Sequence, residues 1–138
     1  MAAKDLFHEA VKEGLQKEQW QITADPLLLK IDQVKLEIDL AADSLLVANK
    51  GTEKIAVEIK SFISNSLITD FHLAVGQFIN YRTALRMLQS ERVLYLAVPA
   101  DAFNAFFRER FPQEVIRSYQ IKLIVYNPIH SEIAQWIN

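Results

Sequence analysis

Leu6, Phe7, Ala10, Val11 and Leu15 recur at helical spacing among lysines and glutamates, so the pattern predicts an amphipathic helix over Lys4–Gln19. Trp20–Ile31 mixes β-formers around Asp25-Pro26, which predicts an extended stretch, a turn and a strand. Lys35–Asp39 alternates polar and apolar residues as a half-buried strand does, and Ser44–Ala48 is a short apolar run; the two read as one bent strand or as two. Asn49-Lys50-Gly51-Thr52 has hairpin-turn chemistry, since Gly51 reaches positive φ freely and Asn49 tolerates it. The returning strand is Glu53–Phe62, with Ile55, Val57 and Ile59 on a core face and Ala56, Glu58 and Lys60 on the other.

Ser66–Leu88 has no proline and places Leu67, Phe71, Ala74, Val75, Phe78, Ala84, Leu85 and Leu88 at helical intervals. A helix of roughly 30 Å follows, long enough to cross a sheet. Arg92–Val98 is an almost unbroken apolar run closed by Pro99, which is the pattern of a strand buried on both faces. Helices are expected over Asp101–Arg110 and Gln113–Tyr119, a strand over Ile121–Tyr126, and a short helix over Ser131–Ile137 with Ser131 as N-cap. This order of elements predicts an α/β sandwich built on a mixed sheet.

The 138 residues are the size of one domain, expected to span 1–138, and 51% hydrophobic content with three glycines excludes disordered and collagenous classes. Cysteine is absent, which removes disulfides, thiolate nucleophiles and Cys-based metal sites. The first twenty residues carry charges throughout, without a signal-peptide stretch or membrane span, so a cytoplasmic protein is expected. Fifteen Lys and Arg against 17 Asp and Glu give a net charge of −2, so contact with a phosphate backbone needs a local basic cluster. Lys50, Lys54, Lys60, Arg82, Arg86 and Arg92 are candidates for one cluster, and Arg108, Arg110 and Arg117 for another. Phe103, Phe106, Phe107 and Phe111 suit a core, with a homo-oligomer interface as the alternative.

Glu58 and Lys60, two apart on a strand, project to the same side. A hairpin centred between Lys50 and Gly51 sets Asp43 opposite Glu58, whereas a bulge near Ala41-Ala42 brings Asp39 there instead. Two facing carboxylates repel by a few tenths to about 1 kcal/mol unless a cation lies between them or one is protonated. Mg²⁺ or Mn²⁺, which takes carboxylate, water and phosphate oxygens, resolves the conflict. With Lys60 beside them, Asp39 or Asp43 and Glu58 describe metal-assisted phosphodiester hydrolysis. A short E-x-K motif is also compatible with an ordinary solvated strand face. His8, His72 and His130 lack metal spacing, and no Gly-rich loop precedes a helix, so zinc and Rossmann or P-loop nucleotide sites are not expected.

The arrangement of an Asp, Glu58-x-Lys60 on a hairpin and a long helix thereafter resembles the PD-(D/E)xK restriction-endonuclease-like superfamily. Gln77-Phe78-Ile79-Asn80-Tyr81 resembles the Q-x-x-x-Y element that RecB-type members carry on the following helix. Nearly the whole chain is similar to the XisH family, the fdxN element excision controlling factors of cyanobacteria, through AKDLFHEAVK, EIDLAADSLLVANKG, EKIAVEIKSF, AVGQFINYRTAL, RVLYLAVP and IVYNPIHSEIAQWI. The resemblance implies a restriction-endonuclease-like three-layer sandwich, with a central mixed β-sheet flanked by helices. It also implies a part in programmed DNA excision alongside a site-specific recombinase, with DNA and a XisI-like protein as partners. The implied site residues are Asp39 or Asp43, Glu58, Lys60, Gln77 and Tyr81. Glu9 on the first helix is either a further metal ligand, as in some superfamily members, or a solvated residue. The superfamily's leading Pro-Asp is missing, since Ile38 precedes Asp39 and Ala42 precedes Asp43. The alternative function is a non-catalytic accessory protein that keeps the fold and binds DNA, the recombinase or the partner.

Overall fold

The structure, a computed structural model, describes residues 5–44 and 52–138. Helix α1 (His8–Lys17) leads into strands β1 (Trp20–Ala24), β2 (Leu27–Ile31), β3 (Val34–Ile38), β4 (Leu40–Ser44) and β5 (Lys54–Ile59). Helix α2 (Leu67–Leu88) follows, then β6 (Val93–Pro99), a short α3 (Ala100–Ala102) that widens into a π-helical turn (Phe103–Phe107), α4 (Arg110–Tyr119), β7 (Leu123–Asn127) and β8 (Glu132–Ile137). Six strands form one mixed sheet in the order β1-β4-β5-β6-β7-β8, with β5, β6 and β7 parallel and the flanking pairs antiparallel. β2 and β3 pair separately as a two-stranded hairpin.

Each central strand feeds two cores. From β5 and β6, Ile55, Val57, Ile59, Tyr95 and Ala97 pack with Val11 and Leu15 of α1, while Ala56, Leu94, Leu96 and Val98 pack with Phe71, Ala74 and Phe78 of α2. Helices therefore cover both faces, as a partly parallel sheet requires. This corrects the reading of a single core face on β5, because its Ala56 and Glu58 side is buried as well.

Helix α2 begins where Ser66 accepts a hydrogen bond from the Thr69 N–H at 3.3 Å, satisfying one of the donors a helix start leaves unpaired. Ser66→Ala is expected to lower stability by about 1 kcal/mol, read as a shifted urea midpoint at unchanged slope.

The last element overturns an expectation. Residues 132–137 form β8, not a helix, and Ser131 has φ 53, outside the extended conformation of an N-cap. The open edge of β7 offers a full row of backbone partners, and Ile133, Trp136 and Ile137 suit a pleated surface. α1 lies close on this strand: a Cβ at Gly14 would stand 3.2 Å from the Ile133 backbone nitrogen, a tight contact that glycine avoids. Of the four phenylalanines considered, Phe103 and Phe107 are buried, Phe106 is half-buried and Phe111 is exposed. Phe71 meets Phe106, Phe107 and Phe111 edge-on at 5.4, 5.6 and 6.4 Å. The expected turn at 49–51 lies outside the described residues.

Candidate functional site

The hairpin register decides which aspartate meets Glu58. Leu40 pairs with Val57 and Asp43 with Lys54, which puts Asp43 four residues, about 13 Å, along β5 from Glu58. The expected pairing of Asp43 with Glu58 is therefore corrected. Asp43 instead contacts Lys54 at 2.8 Å and Arg92 at 3.2 Å, and these two cations hold its carboxyl below the ordinary range despite partial burial.

Asp39 takes the place beside Glu58. It is the one residue between β3 and β4, where the chain leaves the small hairpin for the main sheet. Its Oδ2 accepts from the Ile59 N–H at 2.7 Å, and its own N–H donates to Glu58 Oε1 at 3.3 Å. The Glu58 carboxylate is thus held by the Asp39 backbone, and the Asp39 carboxylate by the residue after Glu58 on β5. Lys60 Nζ stands 3.8 Å from Glu58 Oε2, while its backbone carbonyl accepts from the Tyr126 hydroxyl at 3.0 Å.

Glu58 is only 5% exposed. Burial, and then the nearby Asp39 charge, push its carboxyl up to about 9, with Lys60 opposing the rise. Tyr81 on α2 feels the same pair: burial first, then the charges of Glu58 and Asp39, raise its hydroxyl to about 12. Gln77, one turn earlier, has a buried Oε1 with no hydrogen-bond partner among the described residues.

Sequence reasoning missed Asp5. Its carboxylate accepts from the Phe7 N–H at 2.9 Å and the Ser61 N–H at 3.0 Å. Burial raises its pKa, and the charge of Asp39 contributes in the same direction. An Asp immediately before a helical apolar pattern is a helix-start signal, but sequence does not show that it also reaches the end of β5. A cavity of about 120 Å³ between Asp5, Lys60, Ser61 and Asp70 opens there. Glu9 is grouped elsewhere: its carboxylate lies with His8 and Asp25, their ligand atoms within 4.8 Å of one another. Lys12 also reaches Asp25, at 2.8 Å, and already supplies a positive charge.

The fold and site define an α/β protein whose mixed sheet carries a buried glutamate, a half-buried aspartate and a lysine at the end of its first parallel strand. The XisH protein family model matches residues 1–134, and the chain belongs to that family. A crystal structure of an XisH family protein from Nostoc punctiforme PCC 73102 superposes with a TM-score of 0.88 at 50% identity, covering 97% of this chain and 100% of that one. A crystal structure of an fdxN element excision controlling factor protein from Anabaena variabilis gives a TM-score of 0.87 at 48% identity, covering 98% of this chain and 100% of that one. No curated protein matches the chain. No helix among the described residues is long and apolar enough to cross a membrane.

Proposed function

We propose that this protein is a factor controlling excision of a DNA element, and that it acts as a Mg²⁺- or Mn²⁺-dependent DNA endonuclease with a PD-(D/E)xK-type site on a restriction-endonuclease-like sandwich. The role in excision rests on the name of the Anabaena variabilis neighbour, 48% identical over nearly the whole chain. The observation carrying the chemistry is the close pair of half-buried Asp39 and buried Glu58 beside Lys60: Glu58 accepts from the Asp39 N–H and Asp39 accepts from the Ile59 N–H.

Two hard oxygen donors side by side, one buried and one half-buried, suit a small divalent cation, and the unpartnered Gln77 oxygen is consistent with a polar occupant near α2. A bound divalent ion supplies neutralising charge and a more acidic water. Asp39 and Glu58 hold it. Lys60 orients the attacking water and stabilises charge developing on the phosphate, while Gln77 and Tyr81 position the substrate strand from α2. Asp43 remains a structural counter-ion for Lys54 and Arg92 in this reading.

Calorimetric titration with Mn²⁺ tests the assignment. Wild-type protein is expected to bind saturably, Asp39→Asn and Glu58→Gln to lose the heat, and Asp43→Asn to retain it. Binding by Asp39→Asn and Glu58→Gln at wild-type affinity would place any metal elsewhere. A second reading follows from the word "controlling" in the neighbour's name: an accessory protein that engages DNA, a recombinase or a XisI-like partner without cutting.

A further inference from the structure

A second cavity among the described residues lies away from the carboxylates. β5, β6 and β7 run parallel, and Glu58 and Lys60 lie where β5 ends, whereas this cleft of about 950 Å³ opens around Val93, Leu94, Ile121 and Lys122, where β6 and β7 begin. Arg82 and Arg86 from α2, Arg92 before β6, Arg110 and Arg117 from α4 and Lys122 before β7 line it, against Glu114 as its one acidic residue. Two basic groups widely separated in sequence thus meet in one concavity of a chain whose net charge is −2.

The internal pairings leave most of this charge unmatched. Arg92 is neutralised by Asp43 and Arg117 by Glu114. Arg86, Arg110 and Lys122 have no ion-pair partner among the described residues. Arg82 has none either: it donates to the Tyr119 and Gln120 carbonyls at 2.7 and 3.1 Å and lies over the Phe78 ring at 5.2 Å. Those carbonyls, at the end of α4, fix one guanidinium in place without cancelling its charge. Burial, and then the charge of Arg86, lower the Arg82 pKa, the sign expected where cations are gathered without counter-ions.

The floor is apolar, with Leu85, Leu94 and Ile121 buried beneath the cationic rim. Arginine predominates, and its planar fork matches phosphate oxygens two at a time. The volume lies in the range of small-molecule sites. We propose that this cleft binds a terminal phosphate or polyphosphate of nucleotide size, its phosphates on Arg82, Arg86, Arg110 and Lys122 and its base over the apolar floor. The ligand is either a free nucleotide or the phosphorylated end of a nucleic-acid strand. The site is separate from the acid pair and stands whether or not that pair cuts DNA.

The test is fluorescence-detected binding of two probes, a labelled ATP analogue and a 5′-phosphorylated ten-residue oligothymidylate, with the unphosphorylated oligonucleotide as control, to wild type, Arg86→Gln/Arg110→Gln and Glu58→Gln. Both arginines are exposed and unpaired, so the double variant is expected to fold, which its circular dichroism and melting temperature verify. The expected result is saturable binding of at least one probe, weakened at least tenfold in the double variant and unchanged in Glu58→Gln; the probe that binds more tightly identifies the source of the phosphate. Equal binding by wild type and double variant, or no binding of either probe at millimolar concentration, overturns the proposal. So does equal affinity for the unphosphorylated oligonucleotide without binding of ATP, which would make the cleft a general backbone patch. Loss of binding in Glu58→Gln would also overturn it, by assigning the phosphate to the acid pair.

Discussion

Replacing Glu58 by Gln is expected to stabilise the metal-free protein at pH 7, on the order of 2–3 kcal/mol, while removing its response to divalent metal. Glu58 ionises near 4.5 when unperturbed and near 9 in the fold. Between those values the native state holds one proton more than the unfolded chain, so wild-type stability falls as pH rises through the window and levels off above about 9. Gln carries no titrating group, keeps an oxygen for the Asp39 N–H, and, like the protonated acid, offers a donor toward the Asp39 carboxylate. Urea unfolding from pH 5 to pH 9 reads the effect: a descending curve for wild type and a flatter one for Glu58→Gln. Excess Mn²⁺ should restore wild-type stability at the alkaline end and leave the variant unmoved. Metal uptake below pH 9 should release about one proton, seen as a binding enthalpy that changes with buffer. A wild-type curve as flat as that of Glu58→Gln would mean that Glu58 stays ionised throughout and that the pair is already neutralised.

Lys60→Ala is expected to reduce DNA cleavage by two to three orders of magnitude, equivalent to about 2.7–4 kcal/mol of transition-state stabilisation. The effect should fall on kcat, because the ammonium acts on charge that develops during attack rather than on the ground-state strand. Lys60 side-chain packing is limited, since the residue is half-buried and its backbone bonds to Ala97 and Tyr126 do not depend on the side chain. Melting temperature and Mn²⁺ affinity should therefore change little, which separates lost chemistry from lost structure. Cleavage at the wild-type rate by Lys60→Ala would defeat the nuclease reading. Partner binding and excision control that survive in this variant, with no cleavage by wild type, would establish the accessory reading instead.

Periodicity alone was enough to locate α1, α2, β5, β6 and β7, because these elements carry apolar patterns that only one secondary structure can bury. E-x-K on β5 was readable for the same reason: alternation along a strand guarantees that Glu58 and Lys60 share a side. The terminal strand was not readable. Residues 131–137 offer a helix-like start and an amphipathic segment, and only the unpaired edge of β7 and the close surface of α1 at Gly14 favour the extended form.

The same division applies to the sites. The sequence by itself determined that two aspartates precede an acid–lysine strand, and its register arithmetic favoured the nearer-looking one, Asp43. Register depends on turn length and on the break between β3 and β4, and those place Asp39 at Glu58 and send Asp43 to Lys54 and Arg92. Burial on both faces of β5, absent from a period-two pattern, then turns a surface-like glutamate into a group that ionises near 9. Asp5 reaches Ser61, and the arginines of α2 meet those of α4, across separations of tens of residues. Spacing in sequence encodes which side chains share a face of one element; only tertiary packing decides which faces meet, because that depends on how the sheet is ordered and how the helices cross it.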